Sequence, residues 1–472
     1  MNQELAKRPL LSVNVFINPH DSNKHVLMFS RASVGMTRDY YVSDTPENLK
    51  VRKAYKQYMK DVAKLLGGKN DSDVLMMQVY EFEAKLAMIE KKVMGAFSTT
   101  EELMQSAAAS GQVLGVLTPT LGQFAKMSNI SVDIITDFIN EVFKLQKFKF
   151  TKDDAVFAYP LQYFTHLFAL FANQTATDAK VMDNYAMWTT IHQYIIASPS
   201  KFIKAYERYK EALVGNKTEQ RWRNCLKHMQ VVLKMPLGLL FVDKAFDEES
   251  KTTIREMTRY VRQAFLDNLD GFTWMDTLTK MQARAKAKAI LEDIGYPEYI
   301  KDPVKLAEKI KGLEVGDKLF ENVRKMMKYA IQTNLGKLKT AVNRDEWLLG
   351  PSQTNGYYAV RQNRIVFLAG ILQPPFYNPI YPKYLTYGGI GMVIGHEITH
   401  GFDGSGRMYD KDGNINFWWS TESNDNFIKR SECLANQYSN FELFGTKPWC
   451  SIYTKKPALA QIKTDSHANS MF

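Results

Sequence analysis

The residues best suited to do chemistry form the pentapeptide His-Glu-Ile-Thr-His at positions 396–400. On a helix, His396 and His400 would lie one turn apart on the same face. Two imidazoles at that spacing can each place a nitrogen about 2.0–2.1 Å from one Zn²⁺. Glu397 would project beside the metal, where its carboxylate can take a proton from a water that attacks a carbonyl. The pattern therefore predicts a zinc site with a general base, both carried by one helix.

The residues on either side of this pentapeptide suit a buried helix. Residues 388–395 are small and apolar, so a sheet or a second helix could pack closely against them. Gly401 follows the second histidine and predicts the end of the helix. A short H-E-x-x-H match can also occur by chance, and two histidines on one helical face can be a surface feature. The pentapeptide alone leaves these interpretations open.

A long, mostly helical region precedes the pentapeptide. Short runs rich in Val, Leu and Phe at 10–18 and 25–31 flank a polar turn and predict a β-hairpin. From residue 45 to about residue 346, apolar residues recur at spacings of three and four, which predicts helices. Within this region, residues 274–294 predict one amphipathic helix that ends at Gly295. We therefore expect a helical N-terminal region over residues 1–350.

The second region, residues 351–472, carries the pentapeptide and changes in character. Short β-like runs at 356–359 and 364–368 come before the predicted zinc helix, and a further helix is predicted from about Trp418 to Phe444. The expected fold class is therefore mainly α with small β elements.

Composition indicates a globular protein and gives little support to nucleic-acid binding. Of the 472 residues, 45% are hydrophobic and 24% are charged, which is ordinary for a folded chain with a large core. The net charge of +11 comes from Lys and Arg that are spread among Asp and Glu along helical segments. Because there is no dense basic block or nucleic-acid motif, we expect solvated helix faces and no nucleic-acid partner.

Targeting signals are not evident in the sequence. The first residues contain no apolar run of signal-peptide length, and no stretch approaches the roughly 20 apolar residues of a membrane span. Four N-x-[ST] sequons would accept glycans only if the chain enters the secretory pathway. They begin at Asn70, Asn129, Asn173 and Asn216.

Several motifs together resemble the neprilysin family of zinc metalloendopeptidases, also called M13, which includes the endothelin-converting enzymes. These are N-G-Y-Y at 355–358, A-G-I-L-Q-P-P-F at 369–376, Y-G-G-I-G-M-V-I-G-H-E-I-T-H-G-F-D at 387–403 and D-G-N with W-W at 412–419. Further motifs resemble the family's helical N-terminal region, so the resemblance covers nearly the whole chain. They are R-D-Y-Y at 38–41, W-R-N-C at 222–225, and T-W-M-D with I-G-Y-P at 273–297. The resemblance implies a thermolysin-like (zincin) catalytic lobe and a large helical lobe that together enclose a cavity. Residues 351–472 would be the catalytic region, which is incomplete.

The resemblance also implies roles at the metal. His396 and His400 match two ligands of a single Zn²⁺ per chain, and Glu397 matches the general base. Asp403 matches the carboxylate that orients a ligand histidine, and such partners fix the tautomer and the ring direction. His467 matches the histidine that stabilises the oxyanion of the transition state.

Substrate contacts follow from the same resemblance. Asn355 matches the side chain that hydrogen-bonds the substrate backbone, with Gly356 beside it where the family usually has alanine. The apolar pocket that receives the hydrophobic residue after the scissile bond is matched by Ile371, Phe376, Val393 and Trp449. The expected substrates are therefore peptides that are cut on the amino side of hydrophobic residues.

One part of the family pattern is missing. The third zinc ligand of the family is a glutamate in an E-N-x-x-D pattern after the site helix, and none of Glu422, Glu432 and Glu442 has that pattern. The motifs on either side indicate that a segment between Phe441 and Trp449 has been removed. Two explanations are open: an incomplete gene model of a normal enzyme, or a truncated product with two histidine ligands and weak zinc affinity.

Both ends are short relative to the family pattern, which begins with a cytoplasmic tail and a membrane anchor. The family implies an extracellular or membrane-attached protein, although no anchor precedes Met1. The partners of three cysteines would lie in missing terminal parts, so we expect Cys225, Cys433 and Cys450 to be unpaired.

Two functions follow from these observations. The first is a zinc endopeptidase that processes peptides. The alternative is a catalytically impaired pseudo-peptidase, or peptide-binding protein, because the third ligand is absent. The sequence leaves the oligomeric state and the physiological peptide open.

Overall fold

The computed structural model describes residues 9–96, 118–158, 160–172, 176–215, 220–439, 442–443 and 446–448. Most of these residues are helical. In chain order the α-helices are α1 Arg38–Val42, α2 Pro46–Leu65, α3 Ser72–Ala96, α4 Leu121–Ser128, α5 Val132–Val142, α6 Leu161–Ala169, α7 Ala176–Tyr194, α8 Ser200–Val214, α9 Arg221–Val232, α10 Lys234–Ala245, α11 Glu249–Gly271, α12 Thr277–Ala289, α13 Pro303–Lys309, α14 Leu319–Gly336, α15 Lys383–Thr386, α16 Met392–His400 and α17 Thr421–Ser439.

The strands form small sheets between these helices. They are β1 Leu11–Asn18, β2 Asp21–Arg31, β3 Val156–Ala158, β4 Leu291–Gly295, β5 Gly356–Ala359, β6 Arg364–Leu368, β7 Glu442–Leu443 and β8 Thr446–Pro448. The sheet orders are β1-β2-β3, β4-β6-β5 and β7-β8. In the second sheet β4 is parallel to β6 and β5 is antiparallel to it. Because β6 is the central strand, β4 and β5 lie at the two edges.

The larger core lies beneath the hairpin and the first helices. Tyr55 and Tyr58, one turn apart on α2, are buried together with Trp188 of α7 and Tyr209 of α8. The rings of Tyr58 and Tyr209 stack with centroids 5.6 Å apart, and Trp188 lies 5.2 Å from Tyr58 in an edge-to-face arrangement. Such large rings bury much apolar area and prefer these offset and edge geometries. Helices that are distant in the sequence are therefore fixed to one another.

A second core surrounds α16. Ile394 and Ile398 lie on one face of this helix and pack with Ile254 of α11 and Ile365 of β6. Just before α16, Gly389 approaches the carbonyl oxygen of Phe376 so closely that a Cβ would lie 2.4 Å from it. Only glycine fits at position 389, because any side chain there would meet this carbonyl group.

Asp276 joins α12 to α17. As the N-cap of α12, its carboxylate accepts the backbone N–H of Thr279 at 3.0 Å, and it also accepts hydroxyl hydrogen bonds from Thr279, Ser420 and Ser423. Burial opposes ionisation, but these hydrogen bonds outweigh it and hold the pKa of Asp276 well below its ordinary value. The charged carboxylate therefore holds the start of α17 against the helix that precedes β4.

The fold class predicted from the sequence, mainly α with small β elements, is confirmed. The hairpin is also present, with β1 and β2 paired antiparallel. The single helix predicted over residues 274–294 is wrong at its end, because α12 stops at Ala289 and residues 291–295 pair with β6. The helix predicted from Trp418 to Phe444 is shorter, spanning Thr421–Ser439. No observation tests the division at residue 350, which stays a prediction.

Two further features concern the surface and the thiols. Among the described residues no single helix has the length and apolar character to cross a membrane. The pair α9 and α10, bent by 115°, meets those criteria only jointly, by length and composition. Cys225 and Cys433 are free thiols, and Cys450 lies outside the described residues.

Replacing Asp276 by alanine should lower the free energy of unfolding by about 1–2 kcal/mol, the usual cost of losing an N-cap acceptor. Because the folded-state pKa is depressed, this stabilisation is present above the ordinary pKa of 3.8 and is lost as the pH falls towards the depressed value. Denaturant unfolding of Asp276→Ala and of the unmodified chain should therefore differ near neutral pH and converge in acid. Asp270→Ala is the control, since that exposed carboxylate pairs only with Arg284 at the surface and should change stability little.

Candidate active site

The site helix begins as a wider turn. Residues Tyr387–Gly391 form a π-helical turn that leads directly into α16, and such turns occur often at functional sites. The apolar face of α16 is held by the second core, so its other face is fixed in direction. His396 and His400 lie on that other face and are half-buried, as expected from their spacing of four residues.

The two imidazoles converge on a common point. Their Nε2 atoms are 2.9 Å apart, and the rings are edge to face with centroids 4.4 Å apart. Tetrahedral Zn²⁺ with Zn–N bonds of about 2.0–2.1 Å would separate two nitrogens by about 3.3 Å. A small outward movement of either ring reaches that distance. The donor set and its geometry therefore fit a zinc ion bound through both Nε2 atoms.

Asp403 fixes the ring of His400. One oxygen of its carboxylate, Oδ2, accepts a hydrogen bond from Nδ1 of His400 at 2.7 Å. The other oxygen, Oδ1, accepts the backbone N–H groups of Ser405 at 2.9 Å and Gly406 at 2.7 Å. With Nδ1 protonated, Nε2 of His400 carries the lone pair that a metal requires. The carboxylate that the resemblance assigned to this task lies where that task can be done.

Glu397 is more deeply buried than either histidine, with 1% of its surface exposed. A carboxylate oxygen of Glu397 and one nitrogen of each histidine all lie within 4.8 Å of one another. Within the described part of the chain, this is the single group of three or more His, Cys, Asp or Glu side chains that could hold a metal ion. A buried carboxylate next to a metal position is suited to take up a proton.

Two protein-family sequence models match this chain, one over residues 1–297 and the other over residues 355–447. Both are described as peptidase family M13. The chain belongs to peptidase family M13. The family resemblance deduced from the motifs is thereby confirmed.

Relatives of this M13 chain are longer than it is. An endothelin-converting enzyme homolog from Locusta migratoria is 36% identical over 429 residues, which are 89% of this chain and 56% of that protein. The membrane metallo-endopeptidase-like 1 protein of Mus musculus is 34% identical over 446 residues, covering 93% of this chain and 57% of that protein. The chain thus spans little more than half the length of these relatives.

A solved structure shares the fold of this M13 chain. It is the crystal structure of a zinc metalloprotease of Mycobacterium tuberculosis in complex with an inhibitor. The two superpose with a TM-score of 0.77 at 24% identity, over 96% of this chain and 65% of the other.

The described structure includes some, but not all, of the residues predicted to form the apolar substrate pocket. Ile371 and Val393 are buried in the second core, and Phe376 packs against that core with more of its surface exposed. These three side chains are therefore brought into one apolar cluster around α16. Trp449 and His467 lie outside the described residues.

Asn355 and Gly356 lie at the start of the edge strand β5. The side-chain oxygen of Asn355 accepts the backbone N–H of Gly356 at 3.0 Å, and its main-chain oxygen accepts that of Leu368 at 3.1 Å. Strand β5 itself packs beside α16. The two residues predicted to contact a substrate backbone therefore lie at the start of an edge strand that packs beside the site helix.

The third zinc ligand of the family pattern has no counterpart in the described structure. Glu422 and Glu432 are exposed on α17, and neither joins the group around His396 within the described ranges. The side-chain surroundings of Glu442 are not among the described features.

Sequence reasoning missed one residue near the site, Lys286. It is 1% exposed, and its Nζ donates hydrogen bonds to the carbonyl oxygens of Gly401, Gly406 and Tyr409. A signal was available, because Ala283 and Ala287 flank it on the buried face of α12. A lysine on an apolar helix face needs polar partners when buried.

Replacing Asp403 by asparagine should weaken Zn²⁺ binding about 10- to 100-fold, because the ring of His400 loses the carboxylate that orients it. Competition between the protein and a chromogenic chelator measures this affinity directly. Asp412→Asn serves as the control, since Asp412 is exposed and pairs with its neighbour Lys411. Equal zinc affinity in Asp403→Asn and in the unmodified chain would contradict the assigned role.

Proposed function

We propose that this M13 chain carries the metal-binding and proton-transfer residues of a zinc-dependent endopeptidase. The observation that carries the proposal is the convergence of His396, Glu397 and His400, with Asp403 bonded to the second histidine. One relative is named an endothelin-converting enzyme homolog and another membrane metallo-endopeptidase-like 1, and these names support the same function here. The pseudo-peptidase alternative is not favoured by these comparisons.

One Zn²⁺ per chain would be held by Nε2 of His396 and Nε2 of His400. When bound, zinc acts as a Lewis acid that acidifies water and polarises a carbonyl. Asp403 keeps Nδ1 of His400 protonated and the ring in place. Glu397 takes the proton of the attacking water on a carboxylate oxygen and passes it to the leaving amine.

Peptides would bind along β5. An extended peptide can add to a sheet edge through main-chain hydrogen bonds, and Asn355 and Gly356 begin that edge. The apolar cluster of Ile371, Phe376 and Val393 would receive the hydrophobic residue that follows the scissile bond. The family resemblance alone adds Trp449 to this pocket and assigns His467 to oxyanion stabilisation.

Partners and location follow from the relatives. Peptides are the proposed substrates, and nucleic acid is not proposed as a partner. We propose a location outside the cell or at the plasma membrane from the family resemblance, and one relative is named membrane metallo-endopeptidase-like 1. Since the chain spans little more than half of that relative, attachment to a membrane is a proposal for the whole protein.

Peptide hydrolysis by the purified chain tests the proposal. We expect internally quenched peptides with Leu or Phe after the scissile bond to be cleaved, cleavage to stop with a chelator, and Zn²⁺ to restore it. Glu397→Gln should lower kcat at least about 100-fold while zinc still binds, because only the proton acceptor is lost.

The matched control is Glu422→Gln, the same change at an exposed position on α17, which should leave kcat unaltered. Hydrolysis that persists in Glu397→Gln or with the chelator would overturn the proposal. A metal-free protein that binds peptides without cutting them would support the alternative instead.

A further inference from the structure

Lys286 is one of the largest fully buried side chains among the described residues. Its Nζ donates to the carbonyl oxygens of Gly401 at 2.7 Å, Gly406 at 2.7 Å and Tyr409 at 2.6 Å. These acceptors are the beginning, the middle and the end of one loop, residues 401–409, which we call the Asp403 loop. A single side chain from α12 therefore spans the whole loop that follows the second histidine.

The number of carbonyl acceptors indicates which protonation state of Lys286 the loop binds. An ammonium has three N–H donors, and a neutral amine has two. Burial lowers the pKa of Lys286 to about 7, while the carboxylates of Asp403 and Asp410 oppose this change. All three carbonyls have a donor only when Lys286 is protonated. The cation also lies at the C-terminal end of α16, where the helix dipole favours positive charge.

The Asp403 loop has little freedom to fold differently. Gly406 lies so near the end of α16 that a Cβ would be 1.7 Å from the carbonyl oxygen of His400. The N–H of Gly406 donates to Asp403 while its carbonyl accepts from Lys286. The peptide groups on either side of the Gly406 Cα thus link the lysine to the carboxylate that orients His400.

The backbone of Lys286 is fixed as well. Asn363, at the turn between β5 and β6, donates from its amide to the carbonyl oxygens of Lys286 at 3.3 Å and Lys411 at 2.9 Å. Its side-chain oxygen accepts the hydroxyl of Tyr358 at 2.7 Å. The helix that carries the lysine and the segment just after the loop are therefore both tied to the same turn.

We propose that Lys286 is a positioning residue for the metal site: its ammonium sets the conformation of the Asp403 loop, and through Asp403 it sets the tautomer and direction of the His400 ring. This inference rests on the proposed function for the identity of the metal, but not for the effect on His400. Lys286 itself touches neither the metal position nor a substrate.

A double-mutant cycle tests the coupling. Lys286→Met, Asp403→Asn and the double variant are compared for Zn²⁺ affinity by chelator competition. If the lysine acts through Asp403, Lys286→Met lowers affinity about 10-fold alone and less than about twofold in the Asp403→Asn background. Lys288→Met is the matched control, because Lys288 is exposed on the same helix and should leave affinity unchanged.

A second measurement needs neither zinc nor substrate. Nitrogen-15 NMR of histidine-labelled, metal-free protein, with the His400 signals assigned from His400→Gln, reports which ring nitrogen is protonated. We expect Nδ1 to be protonated in the unmodified chain and both tautomers to be populated in Lys286→Met. Should that variant not fold, Lys286→Gln keeps two donors and is carried through the same measurements.

The outcomes separate this inference from the proposed function. An unchanged His400 tautomer, or a loss of zinc affinity that is equal in both backgrounds, means that Lys286 only stabilises the fold and overturns the inference. A coupled loss in a chain that never cleaves peptides supports the positioning role and overturns the endopeptidase proposal. Peptide cleavage by a chain in which Lys286 and Asp403 are uncoupled supports the endopeptidase proposal and overturns the positioning role.

Discussion

The candidate site depends on the sharp reversal of the chain directly after His400. Two histidines one turn apart are common to many helices, but their rings can rotate. Here the reversal brings Asp403 back onto Nδ1 of the second ring, with two backbone N–H groups holding the carboxylate. A hydrogen bond donated by one ring nitrogen fixes the tautomer, so the lone pair of the other nitrogen is available to a metal.

The reversal is stable because its polar groups are satisfied from outside the loop. Lys286 supplies donors for three carbonyls that face the interior, where water cannot reach them. Beside it, the second core holds the apolar face of α16 against α11 and the β4-β6-β5 sheet. The site therefore combines a rigid apolar support on one side with a polar network on the other.

Much of this arrangement could be predicted from the sequence. The spacing of His396 and His400 gave the helix and the shared face, and Gly401 marked its end. The residues in β4 could not be assigned in the same way, because Leu291–Gly295 continue the helical pattern and become a strand only by pairing with β6. The partners of Lys286 could not be predicted either, since they are carbonyl groups 115 to 123 residues further along the chain. Roles assigned to Trp449 and His467 have no structural observation behind them.

The shortness of β5 has a consequence for selectivity. Its four residues extend over only about 14 Å, so a ligand lying along this strand gains few main-chain bonds. Such bonds are the same for every sequence, and a small number of them holds a chain weakly. Discrimination must then come from how well one or two side chains fill the apolar cluster, which suits a broad range of short ligands that share a single bulky group.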